Sequence, residues 1–243
     1  MNRCKKVGER TEIVDKKSTA EMDDIEIYVI KLADQKEVLN FLRKHYYPEE
    51  PLTIGREPKT QDAEDEKFQM SQILHGTCLM AVQTVVACND NASDERIVGV
   101  LLSGPKSNGE AEDLFEEAER LGSTKWGTIL RVLAYAERET NVFKRYNISK
   151  ALHIHCLAVD VAARGCSVGL RLIEQLMNIG RQLEYLLMTL DCTSYYSAKL
   201  CERLEMECIN VIKYDEYLDC NGKPIYTPPA PHESLKTFAT RLL

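Results

Sequence analysis

The chain has 243 residues, 44% of them hydrophobic and 28% charged, a globular composition that excludes wholesale disorder. A chain of this length buries roughly 70% of its unfolded surface, enough to fold without a disulfide or metal staple. Its 31 lysines and arginines against 38 aspartates and glutamates give a formal charge of -7, which argues against a nucleic-acid partner and favours a cationic one.

Residues 1–23 are polar and aperiodic and read as a flexible tail, leaving 24–243 as a single domain. The opening MNRCKKVGERTEIVDKK lacks the apolar core of a signal peptide, and no later run approaches the roughly 18 apolar residues of a membrane span. Ile25, Ile27 and Val29 alternate as in a half-buried strand. From Gln35 the period changes: Val38, Leu39, Phe41 and Leu42 share a helical face that runs to Tyr46-Tyr47, where Pro48 and Pro51 are expected to stop it. A helix over Asp62 to Leu74 follows. Two strands, Cys78 to Cys88 and Ile97 to Leu102, flank Asn89, Asp90, Asn91 and Ser93, the chemistry of a turn, and predict an antiparallel hairpin.

An acidic helix over Glu110 to Leu121, read as a solvated face, precedes a longer helix over Trp126 to Tyr146. The second half reads strand Ala151 to Val159, glycine-containing loop Ala162 to Gly169, then an amphipathic helix carrying Leu172, Ile173, Leu176 and Met177. Strand Tyr185 to Leu190 and helix Ser194 to Leu204 come next. The chain closes on strands Met206 to Tyr217 and Ile225 to Tyr226, joined across Asp219-Cys220-Asn221-Gly222, where Asn-Gly signals a hairpin. This order defines an α/β fold: a mixed sheet with helices on both faces.

Nine cysteines, an odd number without a CxxC pair, read as reduced thiols of a cytoplasmic protein and supply no zinc site. His153 and His155 face one side of their strand without enough further ligands for a metal. Cys156 and Cys166 have no histidine–carboxylate partner in sequence and read as packing residues. Tyr46, Tyr47, Tyr195 and Tyr196 either line an aromatic pocket or stack in the core.

The stretch from Leu157 to Gly169 places a strand end, a short loop and a helix start in succession. Backbone N–H groups of Arg164, Gly165, Cys166, Ser167, Val168 and Gly169 would point outward at a helix N-terminus, an arrangement that binds phosphate. Gly165 and Gly169 permit close approach, and Arg164 adds positive charge. Ser167 breaks the G-x-G-x-x-G pattern and no Gly-Lys-Ser/Thr occurs, which excludes a Rossmann or P-loop site.

This loop and the order of elements resemble the Gcn5-related N-acetyltransferase superfamily, whose signature is Gln/Arg-x-x-Gly-x-Gly/Ala. Arg164 and Gly169 match it, and Ser167 stands where that family has glycine. The resemblance implies acetyl-CoA as co-substrate, with its pyrophosphate on the 164–169 amides and its pantetheine arm along Leu157, Ala158 and Val159. It also implies a mostly antiparallel sheet whose central parallel pair, His153 to Val159 and Tyr185 to Leu190, splays apart to admit the thioester. Over residues 25–240 the chain further resembles insect arylalkylamine N-acetyltransferases, through Pro48-Glu49-Glu50-Pro51-Leu52 and Cys192-Thr193-Ser194-Tyr195-Tyr196-Ser197. That likeness implies Glu50 as general base with Thr193 and Ser197 as assisting hydroxyls, Thr193 replacing the more frequent serine.

These residue types suit the reaction. An alkylamine with a pKa of about 10 arrives protonated, and a carboxylate can attract it and take its proton. The expected acceptor is an arylalkylamine of the dopamine, tyramine or serotonin type; histamine, polyamines and agmatine-like cations are the alternative. An alternative from another class is a CoA-binding protein without catalysis, distinguished by whether Glu50 lines the cavity that holds the thioester slot. A small amine is the expected partner, with no nucleic acid or membrane, and the chain is expected to be a monomer or weak dimer.

Overall fold

The computed structural model describes residues 25–57, 63–86 and 93–243; the tail expected over 1–23 and the turn residues Asn89 to Asn91 lie outside them. Strands β1 (Ile25–Val29), β2 (Leu79–Val86), β3 (Ser93–Lys106), β4 (Ala151–Val159), β5 (Leu187–Cys192), β6 (Glu207–Lys213) and β7 (Ser234–Arg241) form one sheet in the order β1-β2-β3-β4-β5-β7-β6. Every neighbouring pair is antiparallel except β4 and β5.

That parallel pair splays. Its ladder joins Ala151–Ile154 to Leu187–Leu190 and then stops, although β4 continues to Val159 and β5 to Cys192. On the other side of β4 the register against β3 slips: Leu102 pairs with Cys156 and Ser103 with Ile154, so His155 is the extra residue of a bulge. The bulge falls where β5 departs. The outer half of β4 therefore presents an open backbone edge to a slot between the two strands.

Alternation along the strands divides the core. Leu79, Ala81, Val98 and Leu101 face α7 (Val168–Gln182) and α8 (Tyr195–Arg203), where Leu172, Ile173, Leu176 and Ala198 fill the layer. Met80, Val82, Val100 and Leu102 face α1 (Gln35–His45) and α3 (Ala63–His75), represented by Val38, Phe41, Leu42, Met70 and Ile73. At Gly99 an added Cβ would stand 2.7 Å from Val168 and 3.0 Å from Leu172, so this glycine lets the start of α7 lie against the sheet. A third cluster joins α4 (Glu110–Leu121) and α5 (Lys125–Thr140) to β6 through Ala118, Trp126, Ile129, Leu130 and Ile212; Leu52 of the short helix α2 (Pro51–Ile54) plugs into it.

Three local expectations are corrected. Pro51 does not end a helix but occupies the first turn of α2, where a missing N–H costs nothing; α1 has already ended at His45. The long helix expected over Trp126 to Tyr146 is broken at Asn141, whose left-handed φ of 33° ends α5 and whose side chain caps α6 (Val142–Tyr146). The Asn-Gly turn forms, with Gly222 at φ 75° and Asp219 Oδ1 accepting from Asn221 and Lys223, but it supports a single bridge between Leu218 and Pro224. The partner of β6 is the C-terminal β7, which inserts between β5 and β6.

Candidate active site

Below the open edge of β4 the chain turns into α7. Asp160 Oδ1 accepts from Ala162 N at 3.0 Å and fixes a tight turn, and Arg164 follows in extended conformation. Gly165 (φ 84°) and Ser167 (φ 58°) are both left-handed, and Ser167 is the N-cap of α7 without a side-chain capping bond. The opening amides of α7 are thus left without a side-chain cap at the positive end of a helix dipole. The left-handed backbone explains why glycine is the residue of choice at 167; serine there carries a steric cost of about 1–2 kcal/mol. Gly169 serves packing: a Cβ there would stand 3.2 Å from Leu200 of α8.

A cavity of about 790 Å³ runs from this loop to the splayed strands, lined by Arg164, Gly165, Ser167, Val168 and Gly169 and by Leu157, Ala158 and Val159. Cys166 is exposed and does not line it. The volume, the open β4 edge and the uncapped amides fit an elongated acyl-CoA. Arg164 reaches across the mouth to an ion pair with Glu49, both side chains about half exposed.

Glu50 stands on the inner wall. It is the N-cap of α2, accepting from Leu52 N at 3.1 Å and Thr53 N at 2.6 Å, and is only 7% exposed. Thr193 stands beside this carboxylate, and its side chain lowers the Glu50 pKa. Burial raises the Glu50 pKa above the ordinary carboxylate value, and these hydrogen bonds offset only part of that rise. The cap of α8 belongs to Ser194, whose Oγ accepts from Ser197 N at 3.0 Å, so Thr193 is not the capping residue. Ser197 Oγ, 2.9 Å from Ser194 Oγ, lines the larger cavity. Of the three residues expected to carry the chemistry, Glu50 and Thr193 line both cavities, and Ser197 lines the larger one.

Glu50, Thr193, Tyr46, His155 and Asp191 also line a smaller inner chamber of about 70 Å³ that continues between β4, α3, α4 and α5. Here Lys106, fully buried, pairs with Glu137 and lies 3.5 Å from Glu110 Oε2. Burial raises the carboxyl pKa values of Glu110, Glu137 and Asp191, the Lys106 charge opposing it in each. Burial, reinforced by Lys106, pushes His155 down to about 3 and His153 well below its ordinary value, so both imidazoles are neutral. His153 Nδ1 lies 2.8 Å from Thr189 Oγ1, and Phe68 meets His155 edge-on at 5.4 Å.

The chamber is what the residue pattern did not disclose. Glu110 belongs to the acidic run read as solvated; Glu112, Asp113, Glu116 and Glu119 are exposed, but Glu110 turns inward to Lys106. The spacing of Lys106 and Glu110, four apart across a strand-to-helix turn, is the only local signal of that pair. Among the tyrosines, Tyr46 lines both cavities, Tyr196 the outer one, and Tyr47 is core. Among the described residues no cluster of three or more histidines, cysteines or acids is placed to hold a metal, and none of the helices is long and apolar enough to cross a membrane.

A parallel strand pair that parts above an uncapped helix N-terminus, beside a buried carboxylate, defines the class: a Gcn5-related acyltransferase fold. Solved structures agree. An agmatine N-acetyltransferase is 38% identical and superposes with a TM-score of 0.82 over 90% of this chain and 100% of its own. A polyamine N-acetyltransferase of Drosophila melanogaster, which catalyses formation of N-acetylagmatine, is 38% identical with a TM-score of 0.81 over the same shares, 90% and 100%. A mosquito arylalkylamine N-acetyltransferase-like 5b is 35% identical with a TM-score of 0.80, covering 89% of this chain and 99% of that one. No protein-family model matches the chain. The chain belongs to the insect arylalkylamine and polyamine N-acetyltransferases of the Gcn5-related superfamily, and it is an acyltransferase.

Proposed function

We propose that the chain moves an acetyl group from acetyl-CoA to the primary amine of a small cationic acceptor by direct attack, both substrates being held together. The observation that carries this reading is the position of the buried Glu50 carboxylate, with Thr193 beside it, on the wall shared by the acyl-CoA slot and the inner chamber. Acetyl-CoA, held by the 164–169 amides and the Leu157–Val159 edge, supplies an activated thioester that needs only a neutral amine.

Glu50 attracts the ammonium and accepts its proton, through a water where the distance requires one; its raised pKa brings it closer to the amine's and makes it a better base than an exposed glutamate. Thr193 orients the carboxylate. A backbone N–H of the open β4 edge donates to the thioester oxygen as negative charge grows there. Ser197 passes a proton to the departing thiolate. No covalent acyl-enzyme is needed, because holding both reactants in line supplies the rate gain.

For the acceptor we propose an arylalkylamine, supported by the aromatic walls of the chamber, Tyr46, Phe68 and Trp126. A second reading, an agmatine- or polyamine-like cation, is favoured by a different observation: Glu110, Glu137 and Asp191 crowd the chamber against one lysine. We further infer one domain over 24–243, because the sheet takes strands from both ends of that range. The free thiols of the described cysteines support a cytoplasmic location, and the chain is read as acting alone or as a weak dimer. CoA release from acetyl-CoA against dopamine, tyramine, serotonin, histamine, spermidine and agmatine tests the reading. Amine-dependent release is expected, and the panel selects the acceptor class; acetyl-CoA binding without any amine-dependent release would leave a CoA-binding protein.

A further inference from the structure

The chain leaves β5 at Cys192, whose pairing with Lys236 is the last of the β5–β7 ladder, and α8 does not begin until Tyr195. The Thr193 carbonyl therefore falls between a sheet and a helix, where neither ladder serves it. Its donor comes from outside both elements. Tyr214 Oη, on the residue that follows β6, donates to Thr193 O at 2.7 Å.

Tyr214 is itself firmly held. It is only 3% exposed, and its ring centroid lies 6.1 Å from that of Tyr226, which stacks on Tyr217 at 6.2 Å and 19°. Its backbone N–H donates to Glu233 O at 3.0 Å, beside the Lys213–Ser234 pair that ends the β6–β7 ladder. Burial keeps the phenol protonated, so the hydroxyl remains a donor at neutral pH. Leu52, two residues after Glu50, packs into the same apolar cluster as Tyr214 and Tyr226. One cluster thus anchors both the Glu50 turn and the Thr193 turn, the two segments that meet on the shared wall.

We propose that Tyr214 is a positioning residue of the acetyl transfer: by holding the Thr193 carbonyl it fixes where the Thr193 side chain stands beside the Glu50 carboxylate. Tyr214 lines neither cavity, so it acts through Thr193 and not on a substrate. Loss of its hydroxyl leaves that carbonyl without its donor and lets the turn shift, and a misplaced group at the reacting centre costs turnover more than binding. The proposal rests on the amine-acetyltransferase reading and adds to it a residue from the edge of the sheet.

The test compares Tyr214→Phe, Tyr226→Phe, Thr193→Val and the Tyr214→Phe/Thr193→Val double variant at saturating acetyl-CoA. The acceptor is whichever of dopamine, spermidine and agmatine the wild type turns over fastest. Tyr214→Phe is expected to lower kcat about five- to tenfold, with KM and acetyl-CoA affinity within about twofold of the wild type. The acidic limb of its pH profile is expected to move the same way as that of Thr193→Val. In the Thr193→Val background the Tyr214 change is expected to cost less than about twofold more, as for two residues acting as one unit. Tyr226 supplies the control, because its buried hydroxyl has no hydrogen-bond partner among the described residues; Tyr226→Phe is expected to leave turnover within about twofold. A normal kcat in folded Tyr214→Phe would overturn the proposal. A full, additive loss in the double variant, or an equal loss in Tyr226→Phe, would also overturn it by marking a merely structural effect. Should Tyr214→Phe not fold, a crystal structure of the wild type with acetyl-CoA decides: a Thr193 carbonyl bonded to Tyr214 supports the role, and one turned away from it overturns the role. A wild type that binds acetyl-CoA but releases no CoA with any amine would remove the acetyltransferase reading and the positioning role together.

Discussion

Thr193 stands beside the buried Glu50 carboxylate, bringing the end of β5 to the turn after α1 on the shared wall of the inner chamber and the acyl-CoA slot. This placement brings together residues 143 apart in sequence, at the point where the strand pair opens. Replacing Thr193 by valine removes a polar group that holds the Glu50 pKa down, so the acidic limb of the kcat/KM profile is expected to move to higher pH. Activity at neutral pH is expected to fall by about tenfold. Thr193→Ser restores both. An unchanged pH profile in Thr193→Val would detach the hydroxyl from Glu50.

Ser194 provides the contrasting case. Its side chain caps α8, and Ser194→Ala is expected to cost about 1 kcal/mol of stability in a denaturant titration, with a smaller effect on turnover than Thr193→Val. The reverse ranking would exchange the roles of the two hydroxyls.

Burial of Glu50 carries a stability consequence whose sign is fixed. Its folded pKa lies above the unfolded value, so the folded state disfavours the ionised form: the contribution is favourable below the unfolded pKa and is lost as pH rises through the folded one. Glu50→Gln is therefore expected to melt higher than the wild type at neutral pH, with the gap narrowing as pH falls through the carboxylate range. Differential scanning calorimetry at neutral and acidic pH reads this directly, and a variant that melts lower throughout would show that the cap outweighs the desolvation.

At the outer mouth, Glu49 occupies the Arg164 guanidinium that a phosphate would need. An ion pair this exposed contributes less than about 1 kcal/mol, so the competition is mild. Arg164→Ala is expected to weaken acetyl-CoA by about 1–3 kcal/mol, whereas Glu49→Gln is expected to tighten it severalfold by releasing the arginine. Isothermal calorimetry with acetyl-CoA separates the two, and opposite signs are the expected signature.

Most of the fold was legible because its signals are local. The alternation of Ile25, Ile27 and Val29, the apolar face of α7 and the loop Arg164 to Gly169 each occupy one short window. What escaped reading depended on distant pairing. Ser234 to Arg241 forms a strand because β5 and β6 flank it, whereas the nearer Asn-Gly turn offered a stronger local cue to a hairpin that reduces to one bridge. The site divided in the same way. Glu50 and Thr193 sit in recognisable motifs, but their meeting on one wall and the cluster of Lys106, Glu110, Glu137, His155 and Asp191 arise only where β3, β4, β5, α4 and α5 converge. At Pro51 the residue type alone predicts a helix stop, because a missing N–H looks the same before a helix as after one; its place in the first turn of α2 shows only in the fold.

The most direct measurement is CoA release by the wild type and Glu50→Gln in parallel, at saturating acetyl-CoA and amine, with acetyl-CoA affinity measured on both. The expected result is amine-dependent release by the wild type and a loss of roughly 10²- to 10⁴-fold in the variant at unchanged acetyl-CoA affinity. Near-normal turnover by Glu50→Gln would contradict the assignment of the shared wall as the place where the amine loses its proton.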